Sequence, residues 1–188
     1  KVSLLGDPSG DMKQNVELPN SNHSVDFKFW NGDHVSLPMR VSPYPNALES
    51  SGETSEIPIA LNGIISKASE TDSFYVQARK GQAYRLRVFA RSLGAPLDPQ
   101  IEIVHVKSGE VEMTGDDATH AERGLWAMAR SFQVPDLLDP SVLWTPKFDG
   151  KYEIRIRDMR GLGGPHFIYR AELEPVENAV HTWMYARV

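Results

Sequence analysis

The sequence predicts an all-β fold, an antiparallel sandwich or barrel, from three observations. Apolar residues recur at every second position in Phe74-Tyr75-Val76-Gln77-Ala78, Tyr84-Arg85-Leu86-Arg87-Val88-Phe89 and Tyr152-Glu153-Ile154-Arg155-Ile156-Arg157. This alternation marks a strand that buries one face. Gly, Pro, Asn and Asp bound these runs and several weaker ones at close intervals, the spacing of a sandwich or barrel. Two short turns, Arg79-Lys80-Gly81-Gln82 and Lys107-Ser108-Gly109-Glu110, each place a glycine between strand patterns. Gly tolerates positive φ there, so both read as hairpins and the strands are expected to pair in sequential antiparallel order.

Taken in chain order, Val25–Trp30 and Ser36–Val41 are the first strand candidates, a small β segment at the N-terminus. The stretch 42–53 follows, with Pro43 and Pro45 ahead of small polar residues. Prolines remove backbone donors and fix φ, so it reads as a linker. Residues 1–48 are therefore expected to be either the C-terminal part of a preceding small β domain plus linker or strands added to the main sandwich, which spans residues 49–188. About 45 residues are marginal for an independent core. Within the main domain, residues 59–65, 101–106, 111–114, 142–144 and 167–173 add strands to the three firm ones. Asp149-Gly150-Lys151-Tyr152 is a turn entering a strand, with Tyr152 its first core-facing aromatic. Only residues 118–132 break the pattern: Leu125, Met128, Ala129 and Phe132 fall at helical spacing, which predicts a short helix or an ordered excursion.

Composition narrows the function classes. Of 188 residues, 40% are hydrophobic and 24% charged, near the average for globular domains. A net charge of -5 supplies no basic field for a phosphate backbone, so nucleic acid is not an expected partner. No apolar run approaches the roughly 18 residues that cross a bilayer, so membrane insertion is not expected. The absence of cysteine removes disulfides, thiolate metal sites and cysteine nucleophiles together. The first residue is Lys1 rather than Met, as expected of a processed or excised piece or of an arbitrary starting point.

Several blocks occur in a fixed order. They are Pro58-Ile59-Ala60-Leu61-Asn62-Gly63-Ile64-Ile65, Thr71-Asp72-Ser73-Phe74 with Lys80-Gly81-Gln82, Leu93-Gly94-Ala95-Pro96-Leu97-Asp98-Pro99, and Gly115-Asp116-Asp117. Trp144-Thr145-Pro146-Lys147-Phe148-Asp149-Gly150-Lys151-Tyr152 comes next, then Arg157-Asp158 and the run from Gly161 to Arg170. On these blocks the chain resembles the bacterial pre-peptidase C-terminal domain, in the version common in large multidomain proteins of planctomycete-type bacteria. The resemblance implies a jelly-roll-like antiparallel β-sandwich appended to a secreted, periplasmic or cell-envelope protein, often a protease. It implies no catalysis of its own. The expected function is an accessory module that binds extracellular polymer, surface glycan or protein beside other domains of the same chain; a structural spacer is the alternative, and a hydrolytic fragment ranks last.

The candidate sites follow from residue chemistry. Asp116 and Asp117 in a Gly-led loop, with Asp139 ahead of a strand, are the best ligands for calcium, which takes carboxylate and carbonyl oxygens at flexible loops. A solvated turn whose Asp side chains bond nearby amides is the plainer description. Glu49, Glu53 and Glu56 sit where relatives carry a Glu-Pro-Asn-Asp run, and an acidic linker describes them better than a chelate. Six scattered histidines make no i,i+4 zinc pair, and no Gly-x-Ser-x-Gly elbow marks a nucleophile. The Gly161, Gly163, Gly164 and Pro165 run precedes no helix pattern, so it reads as a tight loop. Trp126, Trp144 and Trp183, with Tyr44 and Tyr169, are candidates for an exposed aromatic platform, although Trp144 fits a core position. Trp126, with Arg123 and Arg130 beside it in the excursion, is the expected binding surface.

Overall fold

The computed structural model describes residues 2–4, 12–30, 36–49, 52–117 and 139–176. The chain divides into two compact units, Lys1–Pro43 and Tyr44–Val188. The boundary thus lies at Pro43, ahead of the division at residue 48 expected from the sequence.

The first unit contains two antiparallel pairs. Strand β1 (Val2–Leu4) pairs with β2 (Met12–Gln14), and β3 (Val25–Trp30) with β4 (Ser36–Val41). Asp26 stands opposite Arg40 in the second pair and forms an ion pair with it at 2.8 Å.

The second unit is a sandwich of two five-stranded sheets. Sheet A is ordered β11 (Val111–Gly115), β10 (Pro99–His105), β13 (Gly150–Asp158), β8 (Thr71–Ala78), β6 (Thr54–Ser55). Sheet B is ordered β12 (Ser141–Trp144), β9 (Tyr84–Phe89), β14 (Ile168–Pro175), β7 (Ile59–Ile64), β5 (Asn46–Leu48). The eight strands β7 to β14 form a jelly roll. β10 and β11 make the one tight hairpin, after which β9 pairs with β12, β8 with β13 and β7 with β14. Rolling this long ribbon adds the β10–β13 and β9–β14 pairings that complete each sheet.

Two sequence expectations change here. The turn at 107–110 is a hairpin, with Gly109 at φ 72°. The turn at 79–82 is not, because β8 and β9 lie in different sheets. Gly81 does have positive φ, at 77°, but the turn is a corner between the layers. Gln82 N–H closes the turn onto Arg79 O at 3.2 Å, while the other two amides reach outside it: Gly81 N–H donates to Pro146 O at 3.0 Å and Lys80 N–H to Asp149 Oδ1 at 2.8 Å. Alternation fixes which face of a strand is buried, and it does not specify the neighbour. Nor is 42–53 wholly a linker, since β5 is an edge strand that runs parallel to β7; β6, just after that stretch, runs parallel to β8 in the same way. Pro45 fits such an edge, where no N–H is needed; its carbonyl accepts from Ala60 N–H at 2.8 Å.

The core lies between the inner faces. Phe74, Val76, Leu86, Val88, Ile101, Ile103, Ile154, Ile156 and Leu173 are buried in alternate phase with polar residues, each worth about 1.5–3 kcal/mol on full burial. Aromatic side chains close one end: Trp144 packs edge-on to Tyr152 at 4.7 Å, and His105 stacks on Phe148 at 5.0 Å. A β-bulge between Ile103 and Val104 turns Glu112 toward this end. There its carboxylate accepts from Tyr152 Oη at 2.9 Å, Trp144 Nε1 at 3.1 Å and Lys147 N–H at 3.2 Å.

Candidate functional site

The outer face of sheet A carries the polar half of the alternation in three adjacent strands. Thr71, Ser73 and Tyr75 come from β8, Gln100 and Glu102 from β10, and Lys151, Glu153, Arg155 and Arg157 from β13. Register sets them in rows: Gln100, Arg157 and Thr71 stand side by side, then Glu102, Arg155 and Ser73. These six line an open depression of about 350 Å³, the lower range of small-ligand sites, which run about 300–1,000 Å³.

The charged groups hold one another in place. Arg157 donates from Nε to Gln100 Oε1 at 2.7 Å and from Nη2 to Glu102 Oε1 at 3.4 Å. Arg155 donates to Glu153 at 2.8 Å and lies 3.6 Å from Glu102. The Arg155 hydrogen bond holds the Glu153 carboxyl below its usual range, and the Ser73 hydroxyl acts in the same direction. Nearby, the Lys151 ammonium sits 4.0 Å from the centre of the Tyr75 ring. Each arginine engages carboxylate or carboxamide oxygens with part of its five-donor fork. The arrangement is built to present hydrogen bonds from a fixed frame; an ionised, guanidinium-bound Glu153 is a poor proton acceptor.

The sequence-predicted site residues fall elsewhere. Asp116 and Asp117 follow β11, and Asp139 precedes β12; strand directions bring all three to the same end of the sandwich. Asp139 is buried and committed to backbone. Its Oδ2 accepts from Ala90 N–H at 3.1 Å, Ser92 N–H at 3.0 Å and Ser92 Oγ at 2.6 Å, and its Oδ1 from Arg91 N–H at 2.9 Å. It thereby anchors the 3₁₀ turn Arg91–Leu93. Among the described residues, no three His, Asp or Glu side chains cluster in a way that could hold a metal ion. Arg123, Trp126 and Arg130, with the helix expected over 118–132, lie outside the described residues, as does Trp183.

Two members of the expected aromatic platform are in the core. Trp144 and Tyr169 are 2% and 3% exposed, because each occupies an inward phase of its strand. The depression on sheet A was missed although its signal is in the sequence: Arg155 and Arg157 occupy the polar positions of the firmest strand pattern, and register with β8 and β10 is what assembles them.

A second group of functional interest lies inside the sandwich. Asp72 is wholly buried on the inner side of β8, in phase with Phe74 and Val76. Its Oδ2 accepts from Tyr169 Oη at 2.5 Å, and its Oδ1 has no partner. Burial pushes its carboxyl up to about 6; the Tyr169 hydroxyl opposes this, while Glu49 and Glu70 reinforce it. Gly63 makes room, since a Cβ there would fall 2.3 Å from Tyr169 Oη and 2.6 Å from Asp72 Oδ2.

No protein-family model matches the chain, and no curated protein matches it. Solved structures do. A pre-peptidase C-terminal domain of collagenase from Bacillus anthracis is 10% identical, with a TM-score of 0.45, over 71% of this chain and all (100%) of that one. PliG from Aeromonas hydrophila, a periplasmic lysozyme inhibitor of g-type lysozyme, is 11% identical with a TM-score of 0.42, over 70% of this chain and 100% of its own. PliG from Salmonella Typhimurium is 15% identical with a TM-score of 0.40, over 67% and 100%. The first of these structural neighbours is a domain of the family that the sequence blocks resemble.

Proposed function

We propose that this chain is a non-catalytic binding module of a secreted or envelope-associated bacterial protein, and that it takes an extended polymer on the outer face of sheet A. The observation that carries this reading is the depression across β8, β13 and β10, lined by side chains that donate and accept hydrogen bonds from fixed positions. At a strand spacing of about 4.8 Å, the outer two of these strands lie about 10 Å apart, the length of three extended residues. A polymer crossing the strands meets Thr71 or Ser73, an arginine, and Gln100 or Glu102 in turn. The arginines are prepositioned, so little side-chain entropy is lost on contact.

The test is co-sedimentation with insoluble glycans and fibrous proteins, comparing the wild type with an Arg155→Ala/Arg157→Ala double variant. Both side chains are substantially exposed, at 38% and 47%, and exposed ion pairs contribute at most about 1 kcal/mol each, so the variant keeps its fold. The expected result is a loss of about tenfold or more in affinity, equivalent to at least about 1.4 kcal/mol. Undiminished binding by the variant overturns the assignment to this face. A wild type that sediments with none of the polymers favours a spacer. Calcium at Asp116 and Asp117 is a separate proposal, since Asp139 is already taken up by residues 90–92; if calcium binds there, excess chelator lowers the melting temperature of the native chain.

A further inference from the structure

Three aspartates are buried among the described residues, and two of them are satisfied by backbone amides. Asp139 anchors residues 90–92. Asp158 accepts from the N–H groups of Asp98, Arg160 and Leu162. Asp72 differs, with one oxygen bonded to Tyr169 and the other unpartnered. A buried polar atom without a partner costs about 1–3 kcal/mol, more when charged, so its retention calls for a role.

The groups facing Asp72 come from four places. Tyr169 reaches it from β14, and bare Gly63 leaves space on β7. Glu49 approaches from the end of the β5 segment and Glu70 from the loop before β8. Glu70 is already engaged by Ser66 Oγ at 2.7 Å and Lys67 N–H at 3.1 Å. Glu49 is exposed.

We propose that Asp72 is a proton-operated clasp for residues 44–49: protonated, it donates from Oδ1 to the Glu49 carboxylate, and deprotonated, it repels that carboxylate and loosens the edge strand. The proton comes from water and returns to it. Titration near neutrality, where burial places this carboxyl, puts the change within an environmental range. The clasp acts on a short element. β5 has three residues, starts just after the unit boundary at Pro43, and is held by its parallel pairing with β7, by Ala60 N–H to Pro45 O, by Tyr44 Oη to Glu174, and by Asn62 and Arg170 to Asn46 at 3.2 and 2.8 Å. A single added or lost bond therefore changes how often it opens.

Amide hydrogen exchange tests this with excess chelator present, about one pH unit below and above the Asp72 midpoint, each rate corrected for intrinsic exchange. Protection of the Ala60 amide and of Asn46–Leu48 is expected to lie below that of Ile154 at both pH values, as local opening requires, and to fall about tenfold as pH rises, equivalent to about 1.4 kcal/mol. Glu49→Gln, at an exposed position, is expected to abolish that fall, and so is Asp72→Asn. Protection of these amides equal to that of Ile154 would mean that they open only with the whole domain and would overturn the clasp. A Glu49→Gln profile that matches the wild type would overturn it even if Asp72→Asn fails to fold.

Discussion

Replacing Asp139 by alanine removes a carboxylate that accepts four hydrogen bonds. The Ala90 amide is fully buried and would lose its partner without access to water, which costs about 1–3 kcal/mol. Arg91 and Ser92 are only part-buried, so their amides find water and each bond is worth about 0.5–1 kcal/mol. The Ser92 hydroxyl adds a similar amount. The sum is about 2.5–6 kcal/mol, a large share of the 5–15 kcal/mol typical of a domain. Asp139→Asn keeps one acceptor and places an amide against donors, so its loss is expected to be about 2 kcal/mol. Urea denaturation followed by tryptophan emission measures both, and Ser92→Ala isolates the hydroxyl at about 0.5–1 kcal/mol. A cost below about 1 kcal/mol for Asp139→Ala would refute the account, because a side chain holding three amides cannot be removed so cheaply. The same samples examine calcium: a calcium-induced rise in melting temperature that vanishes only in Asp139→Ala would show this carboxylate serving a cation.

Three further outcomes follow from geometry already described. Gly63→Ala is expected to cost about 1–3 kcal/mol by overpacking against Tyr169 and Asp72, read by thermal unfolding; a neutral result would mean the approach is looser than 2.3 Å. Stability is expected to fall with rising pH between about 3.8 and about 6, because the folded-state Asp72 carboxyl is raised above its ordinary value. This contribution is fully present below the lower value and lost through the upper one, by at most about 3 kcal/mol. Asp72→Asn should flatten that slope in pH-dependent denaturation. Glu112→Gln should cost about 1–2 kcal/mol and change Trp144 emission, since the amide puts an NH₂ donor where one oxygen accepted, either against Tyr152 Oη or against Trp144 and Lys147.

Strand identity was legible in the sequence, and strand partnership was not. The limits of Val25–Trp30, Ser36–Val41 and Tyr84–Phe89 are those read from alternation. Gly109 sits in the expected hairpin, whereas Gly81, with the same local signature, turns a corner between sheets. The two differ only in what the flanking strands bond to, information spread over the whole chain. β5 and β6 escaped notice because three and two residues beside prolines and serines carry no periodicity. Asp139 looked like a free loop carboxylate, since nothing local reveals that residues 90–92 present their amides to it. Asp72 did carry a signal: it shares the inward phase of Phe74, Val76 and Ala78, and a charge in that phase marks a position the core must accommodate.

The rolled ribbon also orders events in time. The β10–β11 hairpin closes across a single turn, while β7 and β14 join opposite ends of the domain. Chain-closure entropy grows with separation, so the hairpin forms early and the β7–β14 seam late. Tyr169 and Gly63 lie on that seam, and Asp72 is sealed only when it shuts. The charge on Asp72 is therefore expected to accelerate unfolding while leaving the folding rate nearly unchanged, a division that chevron plots on either side of its midpoint would display.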